Sequence, residues 1–201
     1  MKGIPWFINL IILSLVAAGL IGVFREAWTT VFISTITLLL TMYTLNIYIK
    51  HQTPLAPGFF FATIFFLYAT LFLGEVHNFY ERFWWWDAIL HAGSGLGFGL
   101  IGTIILIMMF RRQKIKASPL AISLFAFSLS MAIGAVWEIF EFGMDQLFNF
   151  NMQKTGLVDT MYDLIVNSIG ALIASFAGYR YLTKKKTPGL YNLIAESVRR
   201  K

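Results

Sequence analysis

Six apolar stretches, each separated from the next by a short group of charged or turn-forming residues, set the pattern of this chain: residues 4–24, 28–49, 57–73, 87–110, 119–142 and 159–182. A helix needs about 20 apolar residues to cross a hydrocarbon core of about 30 Å, and each stretch is close to that length. The pattern predicts an all-α fold, a polytopic transmembrane bundle of about six helices. It reads as one compact domain over residues 1–183 followed by a basic amphipathic tail over residues 184–201. The first stretch exceeds the roughly 7 to 15 apolar residues of a signal peptide and is preceded by Lys2 alone, so it is expected to be a retained span.

Composition agrees with that reading. Hydrophobic residues make up 58% of the 201 positions and charged ones only 13%, and the mean hydropathy is +0.70, outside the range of ordinary soluble domains. Cysteine is absent, which excludes disulfides, thiolate metal sites and cysteine nucleophiles.

The net charge of +6 sits at the ends of the apolar stretches, so it reads as a topology signal and predicts no nucleic-acid partner. Of the 16 Lys and Arg residues, only Arg25, Arg82 and Lys154 fall on one side of the six stretches. The others, from Lys2 and Lys50 through Arg111–Lys116 to Arg180 and the basic tail, fall on the opposite side. By the positive-inside rule both termini are expected in the cytoplasm of a bacterial cell, with the chain multi-pass in the inner membrane. All ten acids except Glu196 then lie on the outer side or in the outer half of a span.

Those acids carry the candidate chemistry. The fourth span opens Asp87-Ala-Ile-Leu-His91, which puts Asp87 and His91 on one face a turn apart, with Ser94 continuing it. The fifth ends Trp137-Glu-Ile-Phe-Glu-Phe-Gly-Met-Asp145, which gathers Glu138, Glu141 and Asp145 within a sector of roughly 60°. The sixth begins with Asp159, Asp163, Asn167 and Gly170 on one stripe. Three stripes from consecutive helices converge on the same half of the bilayer. Buried carboxylates at such density need a cation, shared protons or donors.

Asp, Glu and Asn oxygens suit Mg²⁺, Ca²⁺ or Mn²⁺, and added histidine shifts the preference toward Mn²⁺, Fe²⁺ or Zn²⁺. The expectation is a divalent metal held by Glu138, Glu141, Asp145, Asp159 and Asp163, with Asp87 and His91 in catalytic roles and Asn167 and His77 as further polar members. Proton-sharing carboxylates and plain polar packing stay open as alternatives. His51 has no sequence partner, and Arg25 and Arg82 read as interfacial arginines.

Around the site, Gly93, Gly95, Gly97, Gly99 and Gly102 on the fourth span, and Gly170, Ala174 and Gly178 on the sixth, are small residues that let helices approach closely. Trp84, Trp85 and Trp86 read as an aromatic anchor at the water boundary. Leu190, Leu193, Ile194 and Val198 give the tail a helical apolar face, expected on the inner leaflet or in solvent.

The run Trp86-Asp87-x-x-x-His91, then Trp137-Glu138-x-x-Glu141-x-x-x-Asp145, then Gln153-x-x-Gly156-x-x-Asp159-Thr-x-x-Asp163-x-x-x-Asn167-x-x-Gly170-Ala171 resembles the bacterial YjdF-type inner-membrane proteins. More distantly it is similar to the VanZ-like proteins. The resemblance covers residues 84–175 and implies a multi-pass bacterial membrane protein sharing Asp87, His91, Glu138, Asp163 and Asn167 as a polar set. The VanZ-like likeness further implies a link to envelope stress and glycopeptide resistance. The VanZ-like pattern has a glutamine after the acid of the fifth span and an arginine in the next loop, where this chain has Glu141, Asp145 and Lys154.

These readings lead to an outward-facing polar site in a metal-dependent hydrolase or transferase. Its expected partners are membrane lipids and a lipid-linked or phosphorylated small-molecule substrate from the envelope. The alternative is a non-enzymatic protein: a binder of cations or headgroups, a transporter, or a VanZ-like resistance factor.

Overall fold

The computed structural model of the chain describes residues 4–50, 55–112, 116–183 and 190–199, and among these there are helices and connections but no strand. Lys2, His51, Lys114, Lys184, Lys185, Lys186, Arg200 and Lys201, used above for charge and partner counting, lie outside the described residues. The helices are α1 (Trp6–Phe24), α2 (Trp28–Lys50), α3 (Pro57–Leu67), α4 (Phe79–Arg82), α5 (Trp86–Arg111), α6 (Pro119–Phe148), α7 (Leu157–Leu182) and α8 (Leu190–Arg199). A π-helical segment, Tyr68–Val76, continues α3 without a break. Among the described residues, six helices, counting α3 with its continuation, are long and apolar enough to cross a membrane.

Two boundaries differ from those read in the sequence. The third span runs on to Val76 because its backbone changes to π-helix instead of stopping near Gly74. The fifth runs six residues past Phe142 to Phe148 and ends at Asn149, whose φ of 54° places it in the left-handed region that asparagine tolerates. Gly143 therefore interrupts nothing. The other end of α6 starts as its sequence dictates, with Pro119 in the first turn and the Ser118 hydroxyl accepting the Ala121 N–H at 3.1 Å.

The chain sorts into two compact units, Met1–Trp86 and Asp87–Arg200. In the first, α1 and α2 form a hairpin through Glu26, whose φ of 55° makes the turn. Its apolar core holds Ile8, Ile11, Leu15, Leu45, Ile64 and Phe72, and Ser14 and Tyr68 share a hydrogen bond of 3.0 Å.

In the second unit, α5, α6 and α7 are drawn together by small residues. A methyl group on Gly99 would meet Ala174 Cβ at 2.7 Å, one on Gly102 would meet Leu129 at 3.1 Å, and one on Gly170 would strike the Ala92 carbonyl. Gly93 and Gly97 face open space, so only alternate members of the glycine run pack. α8 packs on α7, with Ile194 fully buried within the protein. The apolar face of the tail is thus covered at Ile194 by its own unit.

Candidate metal centre

α5 begins, α6 ends and α7 begins at the same end of the second unit, and their polar stripes meet there. Asp163 lies six residues into α7, about 9 Å from the helix start at 1.5 Å per residue. His91 occupies the middle. Its Nε2 stands 3.6 Å from Asp87 Oδ1 and 4.0 Å from Asp163 Oδ2, and its Nδ1 stands 3.7 Å from Glu138 Oε1. One imidazole therefore faces carboxylates from three helices, each too far for a direct hydrogen bond.

His91, Glu138, Glu141 and Asp163 are buried, and Asp87 is partly so. Glu138 Oε1, Asp163 Oδ2 and Asp159 Oδ2 are inaccessible to solvent and have no hydrogen-bond partner among the described residues. A buried acceptor without a donor costs about 1 to 3 kcal/mol, and more for a charged group. Two sets of ligand atoms lie within 4.8 Å of one another: Asp87, His91 and Asp163, and His91, Glu138 and Glu141. This donor set fits a divalent cation: hard oxygens with one imidazole, orphaned acceptors pointing inward, and spacing that a small contraction brings to the distances of direct coordination.

The surrounding residues hold this set in place. The Trp137 indole N–H donates to Glu141 Oε1 at 2.9 Å, one turn along α6. Thr160, on the next helix, accepts the Gln153 side-chain N–H at 2.6 Å. Asn167, 1% exposed, sits where Gly95 on α5 and Gly134 on α6 leave room for its amide, and it receives the Ser94 hydroxyl at 3.5 Å. Ser130 ties α6 to α5 by donating to the Gly95 carbonyl at 2.8 Å. The Lys154 ammonium lies close enough to Asp87, Asp159 and Asp163 to interact electrostatically with each.

Of the residues singled out in the sequence, Asp87, His91, Glu138, Glu141 and Asp163 come together, with Asn167 one turn deeper. Asp159 borders the cluster, close enough to Asp87 and His91 for their charges to interact. Asp145 belongs to neither ligand set: its two oxygens accept the backbone N–H groups of Met152 and Gln153 at 2.7 and 2.9 Å, so it ties the α6–α7 connection to the end of α6. His77 lies in the first unit, exposed, in ring contact with Phe72 and Phe79.

Gly134, Trp137, Gln153 and Thr160 had no assigned role in the sequence. Helical spacing carried the signal for two of them, since Gly134 precedes Glu138 by four residues and Trp137 precedes Glu141 by four.

A Thermotoga maritima protein described as uncharacterized is 36% identical to this chain over 118 residues, covering 55% of this chain and 56% of that relative. The match thus spans about half the length of the curated relative. No solved structure matches the chain. The family described as "Predicted membrane protein (DUF2238)" matches residues 7–184, which include the whole His91 cluster and, but for Trp6, all six apolar helices, and the chain belongs to that family.

Proposed function

We propose that the second unit is the metal-dependent centre of a hydrolase or transferase that acts on a lipid-linked or phosphorylated substrate at the outer face of a bacterial cell membrane. The observation that supports it is His91 standing between Asp87, Glu138 and Asp163, with the buried Glu138 Oε1 and Asp163 Oδ2 lacking a hydrogen-bond partner among the described residues. A divalent ion bound there polarises a phosphoryl or carbonyl oxygen and makes bound water more acidic. His91, Glu138, Glu141 and Asp163 are the ligands in this reading. Asp87, the most accessible group around the imidazole at 24% side-chain exposure, accepts the proton. Lys154 supplies positive charge for an anionic headgroup.

The apolar exposure around the acids suits a lipid-linked substrate. Ile139, Phe140 and Phe142 on α6 and Tyr162, Ile165 and Ile169 on α7 are exposed beside them, so an acyl or prenyl chain stays in hydrocarbon while its headgroup reaches the carboxylates. The outward orientation rests on the skew of Lys and Arg along the chain. The YjdF-type and VanZ-like resemblance supports the bacterial envelope as the setting.

A second reading, a cation or headgroup binder without chemistry, draws on Lys154, whose charge already offsets part of the cluster. Metal analysis of the purified protein and of the Glu138→Gln/Asp163→Asn double variant tests the first reading, together with phosphate release from polyprenyl diphosphate and phosphatidic acid. Metal and turnover in the wild type, both absent from the variant, support it. A metal-free wild type sinks it, and metal without turnover on any lipid phosphate favours the binder.

A further inference from the structure

The two sets of ligand atoms are not two descriptions of one pocket, because they lie at opposite nitrogens of the same ring. Asp87 and Asp163 face His91 Nε2, whereas Glu138 faces Nδ1 and has Glu141 beside it in its set. Each side has its own orphan: Asp163 Oδ2 on the first, from a residue 3% exposed, and Glu138 Oε1 on the second, from a residue 5% exposed. A single ion bound at one nitrogen leaves the buried oxygen at the other without a partner.

Charge leads to the same count. Asp87, Asp163, Glu138 and Glu141 bring four negative charges to a region where an uncompensated ion costs several kcal/mol. One divalent cation balances half of them. Two balance all four carboxylates, and the further negative charge of an imidazole that has lost its ring proton to bind at both nitrogens is offset by the Lys154 ammonium, which interacts electrostatically with Asp87 and Asp163.

We propose that the centre binds two divalent cations, one by Asp87 and Asp163 at His91 Nε2 and one by Glu138 and Glu141 at His91 Nδ1, with the imidazole as the ring between them. This rests on the reading of the cluster as a metal site and extends it by adding Asp87 to the ligands, with one of its oxygens on the ion and the other left to take the proton. An imidazole that serves an ion at each nitrogen releases its ring proton to solvent as the metal binds and bridges as the imidazolate anion. The carboxylate oxygens of Asp87, Glu138 and Asp163, at 3.6, 3.7 and 4.0 Å from the ring nitrogens, each stand too far to hold a ring proton by a direct hydrogen bond.

The test is equilibrium dialysis of the full-length, detergent-purified protein against MnCl₂, with bound Mn²⁺ counted per chain, in the wild type, Asp87→Asn/Asp163→Asn and Glu138→Gln/Glu141→Gln. The expected counts are two, one and one. Electron paramagnetic resonance of the fully loaded wild type needs no variant and is expected to show the multiline spectrum of coupled Mn²⁺ ions. One ion per wild-type chain, or an isolated six-line signal at saturation, overturns the pair and leaves the single-metal reading standing. Loss of both ions from either variant overturns the separate pockets. No bound Mn²⁺ in the wild type overturns both the pair and the metal reading.

Discussion

Gly134 on α6 leaves the space that the Asn167 amide of α7 fills: a methyl group at Gly134 would stand 2.9 Å from Asn167 Cγ. Gly95 on α5 does the same from the other side, at 2.8 Å from Asn167 Oδ1. A polar residue 1% exposed is thus clasped by two glycines directly beneath the carboxylates. Helix approach and site geometry depend on the same three residues.

Replacement of either glycine therefore forces α7 outward. Overpacking of this kind costs about 1 to 3 kcal/mol, so Gly134→Ala and Gly95→Ala are expected to lower the melting temperature in detergent and to weaken Mn²⁺ binding together. Gly93→Ala and Gly97→Ala, with nothing near the added methyl, are expected to leave both unchanged or to raise stability slightly, since glycine in a helix interior costs about 1 kcal/mol relative to alanine. Equal losses at all four positions would show that the clasp carries no special burden.

The spans and most of the cluster were legible because both depend on helical period. Asp87 and His91, or Asp163 and Asn167, fall a turn apart whatever the neighbouring helices do, and apolar length alone marks a crossing segment. What the sequence concealed depends on contacts between elements. Asp145 shares the stripe of Glu138 and Glu141, yet its extra turn toward the helix end brings it to the returning chain, where Met152 and Gln153 take both its oxygens. Spacing places a side chain on a face but cannot say that a loop folds back over one end of that face. The π-helical run to Val76 was concealed for a related reason, since apolar composition does not distinguish one helix type from another.

Asp145 supports the connection that carries Gln153 and Lys154. Hydrogen bonds to a charged partner contribute about 1.5 to 3 kcal/mol each. Asp145→Ala is expected to cost at least that much in thermal stability and to open residues 149–156 to limited proteolysis, while the Mn²⁺ count per folded chain stays at the wild-type value. A drop in that count with an intact connection would return Asp145 to the ligand set.

The Trp137 indole orients Glu141 without touching the proposed ions. Groups that position a ligand through one hydrogen bond typically contribute 10- to 100-fold in metal affinity. Trp137→Phe keeps an aromatic ring beside Phe140, whose centroid is 5.4 Å away, and removes the N–H donor with the five-membered part of the indole. The expected result by calorimetric titration is Mn²⁺ binding weakened about 10-fold or more at the site containing Glu141, with melting temperature in chelator little changed. Unaltered affinity would mean that Glu141 is held by packing alone or does not bind metal.

Chelation and loading should reverse the stability order of the wild type and a variant with fewer charges. Without metal, Glu138 and Asp163 each keep a buried oxygen with no donor, and ionised acids facing one another across His91 repel. Amide replacements are nearly isosteric and remove that burden, so Glu138→Gln/Asp163→Asn is expected to melt at or above the wild type in chelator. Ligand binding to the folded state alone stabilises it by about 2.7 kcal/mol at a free concentration 100 times the dissociation constant. Added Mn²⁺ is therefore expected to raise the wild-type melting temperature by several degrees and to leave the double variant where it was, so that the order inverts. Thermal scans of both proteins with and without Mn²⁺ measure all four values. A wild type more stable than the variant in chelator, with no response to metal, would mean that the carboxylates are satisfied by protons or by Lys154 and that the cluster serves packing.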